Sequence, residues 1–524
     1  MDRGKNALLV THYKTGFIKF AKELIALGWQ VFSFGETAKM LHEAWVPVVD
    51  IAKLPTFSPI AGHSFAALFP RIQDCLLSTE DYREGFNQLA HPLIDLVYID
   101  FYSFKKEGDQ LSAFEDLVIE NDINELILIL LGIKGQRLVA IDPADRSRLI
   151  GWLKSGRLNE TEFKNTLAAK AEAAIANFCL KSARSRTEGA FNGIIGRIVK
   201  PCKYGENAWQ RPSFFYSNDA DDPLALDKFV IVEGTDLSYN NWVDLDRSLQ
   251  TMSHIAEGYA VNKCDNLAIA VGVKHGNPCG AAIGSDREEV LEKMMAGDPL
   301  AIFGGLIMVN FEIEERLCGP LVGKILDAIV APSFTPGAVA MLRRKSNKCR
   351  FIINPALGKQ EIYLDQAPRF RYVRGGFLTQ PNYTFVPSFK EDKIAKYGVA
   401  TPVQERDMIL AWAVGSTSNS NTITLVKNGQ LIGNGVGQQD RVGAAQLAIA
   451  RARRSSHDVA GAVAYSDSFF PFPDGPQALI EAGVTAIFTS SGSVRDGATI
   501  DVCKKSGVVL YMIPDQIGRG FFGH

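Results

Sequence analysis

The chain has 524 residues, which is too long for a single hydrophobic core and predicts two to four domains. Apolar residues make up 46% and charged residues 22%, proportions that are ordinary for a soluble globular protein. The net charge of −2 provides no long-range attraction to nucleic acid or to an anionic membrane, so neither is expected as a partner.

Two further features of the composition exclude classes of protein. No apolar run approaches the ~20 residues that span a bilayer, and the first residues do not resemble a signal peptide. The eight cysteines are scattered without a CxxC pair, which argues against a disulfide framework and against a zinc knuckle. We therefore expect a cytoplasmic protein with reduced thiols.

The first third of the chain alternates between strand and helix patterns. Strands are predicted at residues 7–12, 30–34, 46–51, 93–102 and 137–141, with helices at 15–27 and 37–45. This alternation predicts a parallel, doubly wound sheet, whose ligands usually lie at the carboxyl ends of its strands. The turns at 13–16 and 34–37 are therefore candidate phosphate sites, although Gly and Thr also commonly begin helices. A helical connector is predicted at 143–186.

The densest motif follows the apolar run 266–273 and reads Lys274-His275-Gly-Asn-Pro-Cys-Gly280. The run predicts a buried strand, followed by a turn built from the Asn, Pro and Gly residues. Neighbouring side chains on a strand point to opposite faces, so Lys274 and His275 reach one site only where the strand ends or bulges. A neighbouring cation favours the neutral imidazole, which acts as a base. A solvated Lys beside a structural His would give the same pattern.

Further polar and Gly-rich segments follow apolar runs throughout the second half. They lie at residues 203–207, 237–244, 298–305, 327–332, 417–420, 435–441, 467–474 and 519–524. Each segment alone is compatible with an ordinary turn, because Gly, Asn and Asp favour turns. Polar side chains placed at the ends of apolar runs are also typical of a binding surface on a rigid scaffold.

In their residues and order, these motifs closely resemble the bifunctional AICAR transformylase/IMP cyclohydrolase family of purine biosynthesis. Its members have Lys-His-x-Asn-Pro-Cys-Gly, Arg/Lys-Tyr-Gly-Glu-Asn-Pro-His-Gln, Leu-Ser-Tyr-Asn-Asn and Gly-x-Gly-Gln-x-x-Arg, and the resemblance covers nearly the whole chain. The resemblance implies a methylglyoxal-synthase-like α/β domain with its connector at 1–195. It also implies two cytidine-deaminase-like subdomains, at 196–365 and 366–524, and a homodimer with shared active sites.

The resemblance also implies a reaction. The family's transformylase moves a formyl group from 10-formyltetrahydrofolate to the 5-amino group of AICAR, and no metal is needed. That amine is a poor nucleophile, so the site must remove its proton, hold the developing oxyanion and protonate the departing folate nitrogen. The implied catalytic residues are His275 as the base, Lys274 as its cationic partner and Asn419 as a neutral donor.

The family's substrate-binding positions also have counterparts in this chain. Those around AICAR are Lys203, Tyr204, Gly205, Asn241, Arg441, Phe469 and Arg519. Arg519 and Lys203 suit its 5′-phosphate. Those near the folate or the carboxamide are Gly304, Asp327 and Asp474. Two departures stand nearby, since Lys203 replaces the Arg of many relatives and Ala208-Trp209 replaces Pro-His; neither touches the proposed chemistry.

The cyclohydrolase half departs much further from the family. The chain keeps Lys14, Thr15, Tyr102, Asp122 and Lys134. However, the second turn carries Glu36, no Lys or Arg stands in segment 63–70, and Asn124-Glu125 replaces a pair of glycines. A carboxylate ~4 Å from a phosphate is repelled by ~4 kcal/mol at an effective dielectric of about 20. We therefore expect a weak or absent cyclohydrolase. The alternative is a bifunctional enzyme whose site was rebuilt with other cations, for which Lys39 and Lys134 are the nearest candidates.

Two other classes of function stay open. A zinc nucleoside deaminase needs H-x-E with P-C-x-x-C, whereas Gly-Asn follows His275 and Gly-Ala-Ala follows Cys279, so zinc ligands are missing. A non-catalytic nucleotide-binding regulator would share the binding residues, and formyl-transfer turnover would distinguish it from an enzyme.

Overall fold

The computed structural model of the protein describes residues 5–51, 70–77, 93–100, 123–218, 220–264, 267–345, 348–359, 363–391 and 393–523. The chain forms two compact units. The first comprises Met1–Arg197 with Asn218–Asp221, and the second comprises Ile198–Ser217 with Asp222–His524. Among the described residues, no helix combines the length and the apolar character that crossing a membrane requires.

A five-stranded, wholly parallel sheet lies at the centre of the first unit. Its strands are β1 (Lys5–Val10), β2 (Trp29–Ser33), β3 (Val49–Asp50), β4 (Leu96–Ile99) and β5 (Leu138–Ala140). Their spatial order is β3-β2-β1-β4-β5, so the direction of winding reverses beside β1. This order confirms the predicted doubly wound sheet, and sheets of this kind usually bind ligands where the order reverses, here at the carboxyl ends of β1 and β4.

Helices cover both faces of this sheet. They are α1 (Phe17–Ala26), α2 (Gly35–Glu43), α3 (Pro70–Leu77), α4 (Ile123–Lys134), α5 (Asp145–Lys154) and α6 (Glu160–Arg186). Because side chains alternate along a strand, Leu9 of β1 packs with Phe20 on one face, whereas Leu8 packs with Leu128 on the other. The predicted connector at 143–186 corresponds to α5 and α6.

The second unit begins with a two-stranded ribbon, β6 (Arg197–Pro201, whose first residue is the end of the first unit's main segment) and β7 (Phe214–Ser217). Its first half then contains β8 (Val230–Glu233), α7 (Tyr239–Val261), β9 (Ala268–Lys274), β10 (Asn277–Gly284), α8 (Arg287–Ala296), β11 (Leu306–Val309), β12 (Ala328–Ala331), α9 (Pro336–Leu342) and β13 (Arg350–Ile353). A second ribbon, β14 (Arg369–Val373) and β15 (Gly376–Gln380), separates this half from the next. Short 3-10 helices lie at Leu226–Lys228, Glu315–Leu317 and Pro355–Gly358.

The second half of this unit repeats the arrangement of the first. It contains β16 (Ala395–Tyr397), α10 (Pro402–Ser416), β17 (Ile423–Lys427), β18 (Gln430–Gly435), α11 (Arg441–Arg454), β19 (Val463–Ser466), α12 (Asp474–Glu481), β20 (Ala486–Ser491), α13 (Asp496–Lys505), β21 (Val509–Pro514) and α14 (Asp515–Gly518). In each half, a helix precedes an antiparallel hairpin, and the hairpin is followed by three mutually parallel strands.

The two halves share one twelve-stranded sheet, and one hydrophobic cluster, which includes α7 and α10, spans both halves, while each half also has a cluster of its own. The strand order is β16-β21-β20-β19-β17-β18-β10-β9-β11-β12-β13-β8, with the halves joined where Ala282 of β10 pairs with Gln430 of β18. Helices α7 and α10 pack against each other so closely that a Cβ on Gly258 would lie 3.0 Å from the Trp412 ring. This packing fixes the end of each hairpin relative to the other half.

Candidate active site

Lys274 and His275 lie at the tip of the β9–β10 hairpin. Lys274 ends β9, and His275 and Gly276 form a two-residue turn with φ angles of 53° and 69°. Positive φ at both central residues is typical of a type I′ turn, and it costs a residue other than Gly roughly 1–2 kcal/mol. The predicted turn at Asn277-Pro278 is therefore wrong: these residues begin β10, where Asn277 pairs with Lys274 and a bulge accommodates the proline.

A carboxylate from the preceding helix holds this turn. The backbone N–H of Gly276 donates to Oδ1 of Asp244 on α7 at 2.7 Å. Asp244 is buried, and burial raises the pKa of its carboxyl, while the hydrogen bond from Gly276 acts in the opposite direction. His275 itself is exposed, so its imidazole is open to solvent and to a ligand above a fixed backbone.

The ammonium group of Lys274 folds back towards the loop that precedes β11. It donates to the backbone carbonyl of Phe303. A Cβ on Gly304, whose φ is 70°, would lie 3.8 Å from Lys274 Nζ. Gly304, predicted as a substrate-binding residue, thus adopts a conformation that favours glycine directly beside the predicted catalytic cation.

Asn241 and Asp327 are also brought together in the first half. Asn241 closes a capping box with Ser238 at the start of α7, and its Nδ2 donates to Asp327 Oδ2 at 3.2 Å. The loop 203–205 is tied to the same helix start. Lys203 N–H donates to Leu237 O at 2.9 Å, and Tyr239 N–H donates to Tyr204 O at 3.0 Å. The helix start therefore organises predicted binding residues from three separate motifs.

Asn419, the third predicted catalytic residue, follows α10 in the second half. Its backbone N–H donates to Asn277 Oδ1 at 3.0 Å, which joins it to the hairpin of the first half. Sequence reasoning did not assign Asn277 a role, although it lies inside the Lys-His motif. Two residues that are 142 positions apart in the chain thus meet at one place.

The C-terminal tail lies alongside Asn419. Phe522 N–H donates to Ser418 O at 3.1 Å, and Ser420 N–H donates to Gly523 O at 3.0 Å. The centre of the Phe522 ring lies 3.9 Å from the guanidinium carbon of Arg247 and 3.4 Å from that of Arg369. Burial lowers the pKa of Arg247 to about 9. Sequence reasoning missed both arginines, because neither belongs to a recognisable motif.

The remaining predicted binding residues of the second half differ in how exposed their side chains are to a ligand. Arg441 is 8% exposed and donates to the fully buried carboxylate of Asp467, so its charge is already neutralised within the chain. Arg519 is 44% exposed at its side chain and lies 3.5 Å from Asp515 Oδ2. Asp474 begins α12 and is exposed, whereas Phe469 is half-buried next to Gly492. In the described part of the chain, no hydrogen bond or ion pair joins Asp474 or Phe469 to the hairpin turn.

In the first unit, a buried ion pair supports the loop after β1. The Arg146 guanidinium contacts Asp100 Oδ2 at 2.7 Å and donates to the backbone oxygens of Tyr13 at 2.9 Å and Thr15 at 2.7 Å. Lys14 and Thr15 therefore lie at the carboxyl edge of the sheet, where a doubly wound fold binds its ligands. The predicted residues Tyr102 and Asp122 lie outside the described residues.

The carboxylate of Glu125 occupies the start of α4 at this edge. Glu125 is 4% exposed, and its Oε1 lies 3.0 Å from Nε2 of His12. Lys134 is exposed in the last turn of α4, nine residues later and so ~14 Å along the helix axis. Glu125 thus lies at the carboxyl edge of the sheet, where Lys14 and Thr15 also lie, whereas Lys134 lies at the opposite end of α4.

The side chains that commonly bind metals are dispersed in the described part of the chain. This part contains no group of three or more His, Cys, Asp or Glu side chains that could hold a metal ion. Cys279, which a zinc deaminase would use as a thiolate, is buried, and burial raises the pKa of its thiol to about 12.

Comparisons with known proteins bear on the whole chain. The AICARFT/IMPCHase bienzyme family model matches residues 136–451, and the MGS-like domain model matches 16–126. Bifunctional purine biosynthesis proteins PurH from Staphylococcus carnosus, Anoxybacillus flavithermus and Bacillus cytotoxicus are each 31% identical, covering 97% of this chain and 98% of the relative. One solved structure, titled "Crystal structure of ForH", is 23% identical over 35% of this chain and 98% of that chain, with a TM-score of 0.30.

The bienzyme family model spans more than half of the chain, and the three relatives match almost from end to end. The MGS-like match falls on the unit that contains the parallel sheet. The chain therefore belongs to the AICARFT/IMPCHase bienzyme family, the family of bifunctional purine biosynthesis proteins.

Proposed function

We propose that the chain is an AICAR formyltransferase of purine biosynthesis, which forms FAICAR from AICAR and 10-formyltetrahydrofolate. The observation that carries the proposal is the hairpin turn at His275. It presents an exposed imidazole next to Lys274, on a backbone held by Asp244 and joined through Asn277 to Asn419. These contacts support the proposal that the three predicted catalytic residues, from two halves of the unit, act at one site.

Each of these residues suits one requirement of formyl transfer. The folate, when bound, supplies the formyl group. The exposed His275 ring accepts the proton that the AICAR amine loses during attack, since a neutral imidazole is a suitable base near pH 7. Lys274 provides a positive charge for the developing oxyanion or a proton for the departing nitrogen. Asn419 provides a neutral hydrogen-bond donor on a backbone fixed by Asn277.

The proposed binding residues divide by charge. Arg519 and Lys203 are sufficiently exposed to meet the 5′-phosphate, whereas the Arg441 guanidinium is committed to Asp467 and would shape the AICAR site rather than supply free charge. Tyr204, Gly205, Asn241 and Phe469 complete the proposed AICAR site. Gly304, Asp327 and Asp474 are proposed for the folate or the carboxamide.

For the first unit, we propose that cyclohydrolase activity is weak or lost. The positive end of a helix dipole attracts anions, but at α4 that end already carries the buried carboxylate of Glu125. The competing proposal is a fully bifunctional enzyme that also closes FAICAR to IMP. Membership of the bifunctional family favours that alternative, so the two must be separated by experiment.

The decisive experiment supplies AICAR and 10-formyltetrahydrofolate to the full chain and separates FAICAR from IMP by chromatography. Accumulation of FAICAR without IMP supports the formyltransferase proposal. Binding of AICAR without any turnover would instead identify a nucleotide-binding regulator. We also propose a cytoplasmic homodimer with shared active sites and no metal requirement. Sedimentation measurements test the dimer, and turnover in excess chelator tests the metal requirement.

A further inference from the structure

The active-site hairpin has a structural counterpart in the second half of its unit. The β17–β18 hairpin also turns through two residues, Asn428 and Gly429, with φ angles of 53° and 72°. These angles nearly match the 53° and 69° of His275 and Gly276. His275 and Asn428 therefore occupy equivalent positions in two copies of one turn.

The same type of side chain holds both turns. Asp244 on α7 accepts from Gly276 N–H at 2.7 Å. Asp407 on α10 accepts from Gly429 N–H and from Asn428 N–H, each at 2.7 Å. Each helix directly precedes its hairpin in the chain, and both carboxylates are buried. We refer to this carboxylate-to-turn contact as the turn clamp.

The lysines before the two turns also correspond. Lys274 donates to the carbonyl of Phe303 before β11, and Lys427 donates to the carbonyl of Asp458 before β19, the latter at 3.1 Å. The two hairpins thus share their lysine, turn and clamp, and they differ in whether the first turn residue is His or Asn. The turn clamp also forms in the second hairpin, which lacks the histidine. The clamp therefore acts directly on the backbone of the turn.

We propose that Asp244 is a positioning residue for formyl transfer, because its clamp keeps the His275 backbone left-handed and its imidazole beside Lys274. A residue other than Gly seldom adopts this conformation unless its surroundings impose it. Without the carboxylate, the turn N–H groups lose their acceptor and the turn can relax. This inference rests on the proposed function, since it assigns His275 the role of base.

The test compares Asp244→Ala with Asp407→Ala, which removes the same clamp from the non-catalytic turn. Asp244→Ala is expected to lower kcat by ~10- to 100-fold, the usual effect of a small misplacement, with the KM values for AICAR and folate within about 3-fold. Asp407→Ala is expected to keep kcat within about 2-fold, even where both variants lower the melting temperature equally. Asp244→Asn, which keeps an oxygen acceptor, is expected to recover most of the turnover.

Backbone amide exchange provides a readout that does not depend on activity. Asp244→Ala should accelerate exchange at residues 274–277, and Asp407→Ala should accelerate it at 427–430. Unchanged exchange at residues 274–277 in Asp244→Ala would contradict the turn clamp itself. An equal fall of kcat in both alanine variants would contradict the positioning role of Asp244, and so would an undiminished kcat in Asp244→Ala. If the wild-type chain forms no FAICAR, the proposed function fails and so does the catalytic role of Asp244, while amide exchange still decides whether the clamp exists.

Discussion

Asn277 and Asn419 join the two halves of the second unit at the proposed active site. Asn277 Oδ1 accepts from the Asn419 backbone N–H at 3.0 Å, while its Nδ2 donates to the carbonyl of His275 at 3.2 Å. One amide side chain thus contacts both the residue proposed as base and the residue proposed as neutral donor. Its position one residue beyond the turn makes the hairpin itself the connection between the halves.

Asn277→Ala is therefore expected to slow formyl transfer by about 10-fold while changing the AICAR KM little. The substitution leaves the Asn419 N–H without its acceptor, and such a loss in a part-buried place costs about 1–3 kcal/mol. The measurement is steady-state turnover with both substrates varied. Gln430→Ala is the matched control, because Gln430 has the equivalent place after the second turn, where it donates to Lys293 O at 2.8 Å. Equal losses in the two variants would contradict a specific link to Asn419.

His275→Ala is expected to lower turnover by ~100-fold or more, the usual scale for removing a positioned base. AICAR should still bind, because the proposed phosphate contacts lie elsewhere. Calorimetric binding of AICAR and turnover are measured on the same preparation. Asn428→Ala, at the equivalent turn position of the other half, should retain full turnover. Near-normal turnover in a folded His275→Ala protein would remove the assignment of His275 as base.

Arg519→Glu is expected to raise the AICAR KM by at least about 10-fold, with a smaller effect on the folate KM. The substitution replaces an attraction to the phosphate with a repulsion, and it adds a second carboxylate close to Asp515. Arg453→Glu makes the same charge change in the last turn of α11 and serves as the control. If both KM values rose equally in Arg519→Glu, the residue would have been misplaced or the fold damaged.

The sequence was sufficient to predict the strands of the first unit and most of its helices, but not α3 or α4. Its strands are short, buried apolar runs, so their pattern survives in the sequence with ends displaced by only a few residues; β1 was expected at 7–12 and spans Lys5–Val10. The active-site turn was placed wrongly, because Asn-Pro-Cys-Gly has the composition of a turn. The position of the turn is set by strand pairing instead, since Asn277 pairs with Lys274 and only His275 and Gly276 remain between the strands.

The contacts that organise the sites could not be predicted in the same way. Asn277 and Asn419 are 142 positions apart, and His12 and Glu125 are 113 positions apart. No local periodicity encodes such pairs, because they depend on how distant elements pack. The resemblance to a family supplied the residues of the proposed site, but it supplied neither the clamp at Asp244 nor the arginines around Phe522.

The pairing of Glu125 with His12 changes the argument about the first unit. The sequence alone predicted a carboxylate that repels a phosphate. The structure gives that carboxylate a partner, with Nε2 of His12 at 3.0 Å, and buries it at the start of α4. When His12 is protonated, the pair is neutral overall, so direct repulsion is weaker than that of a lone carboxylate. The helix terminus is nevertheless already filled, and an incoming phosphate would have to displace Glu125 from His12.

Given FAICAR, the protein is therefore expected to form IMP no faster than a trace. The exposed Glu36 in the first turn of α2 adds a further negative charge to a second candidate phosphate turn. Lys14 is the retained cation of the first turn, so Lys14→Ala is the diagnostic variant. If the first unit catalyses the residual formation of IMP, this substitution should lower the rate. The uncatalysed closure of FAICAR should be unaffected. Rapid IMP formation that is abolished by Lys14→Ala would show that the chain is a bifunctional enzyme. It would also mean that the carboxyl edge of this sheet accepts a phosphate despite Glu125, either by releasing Glu125 from His12 or by binding the phosphate on the β1 loop that Arg146 supports.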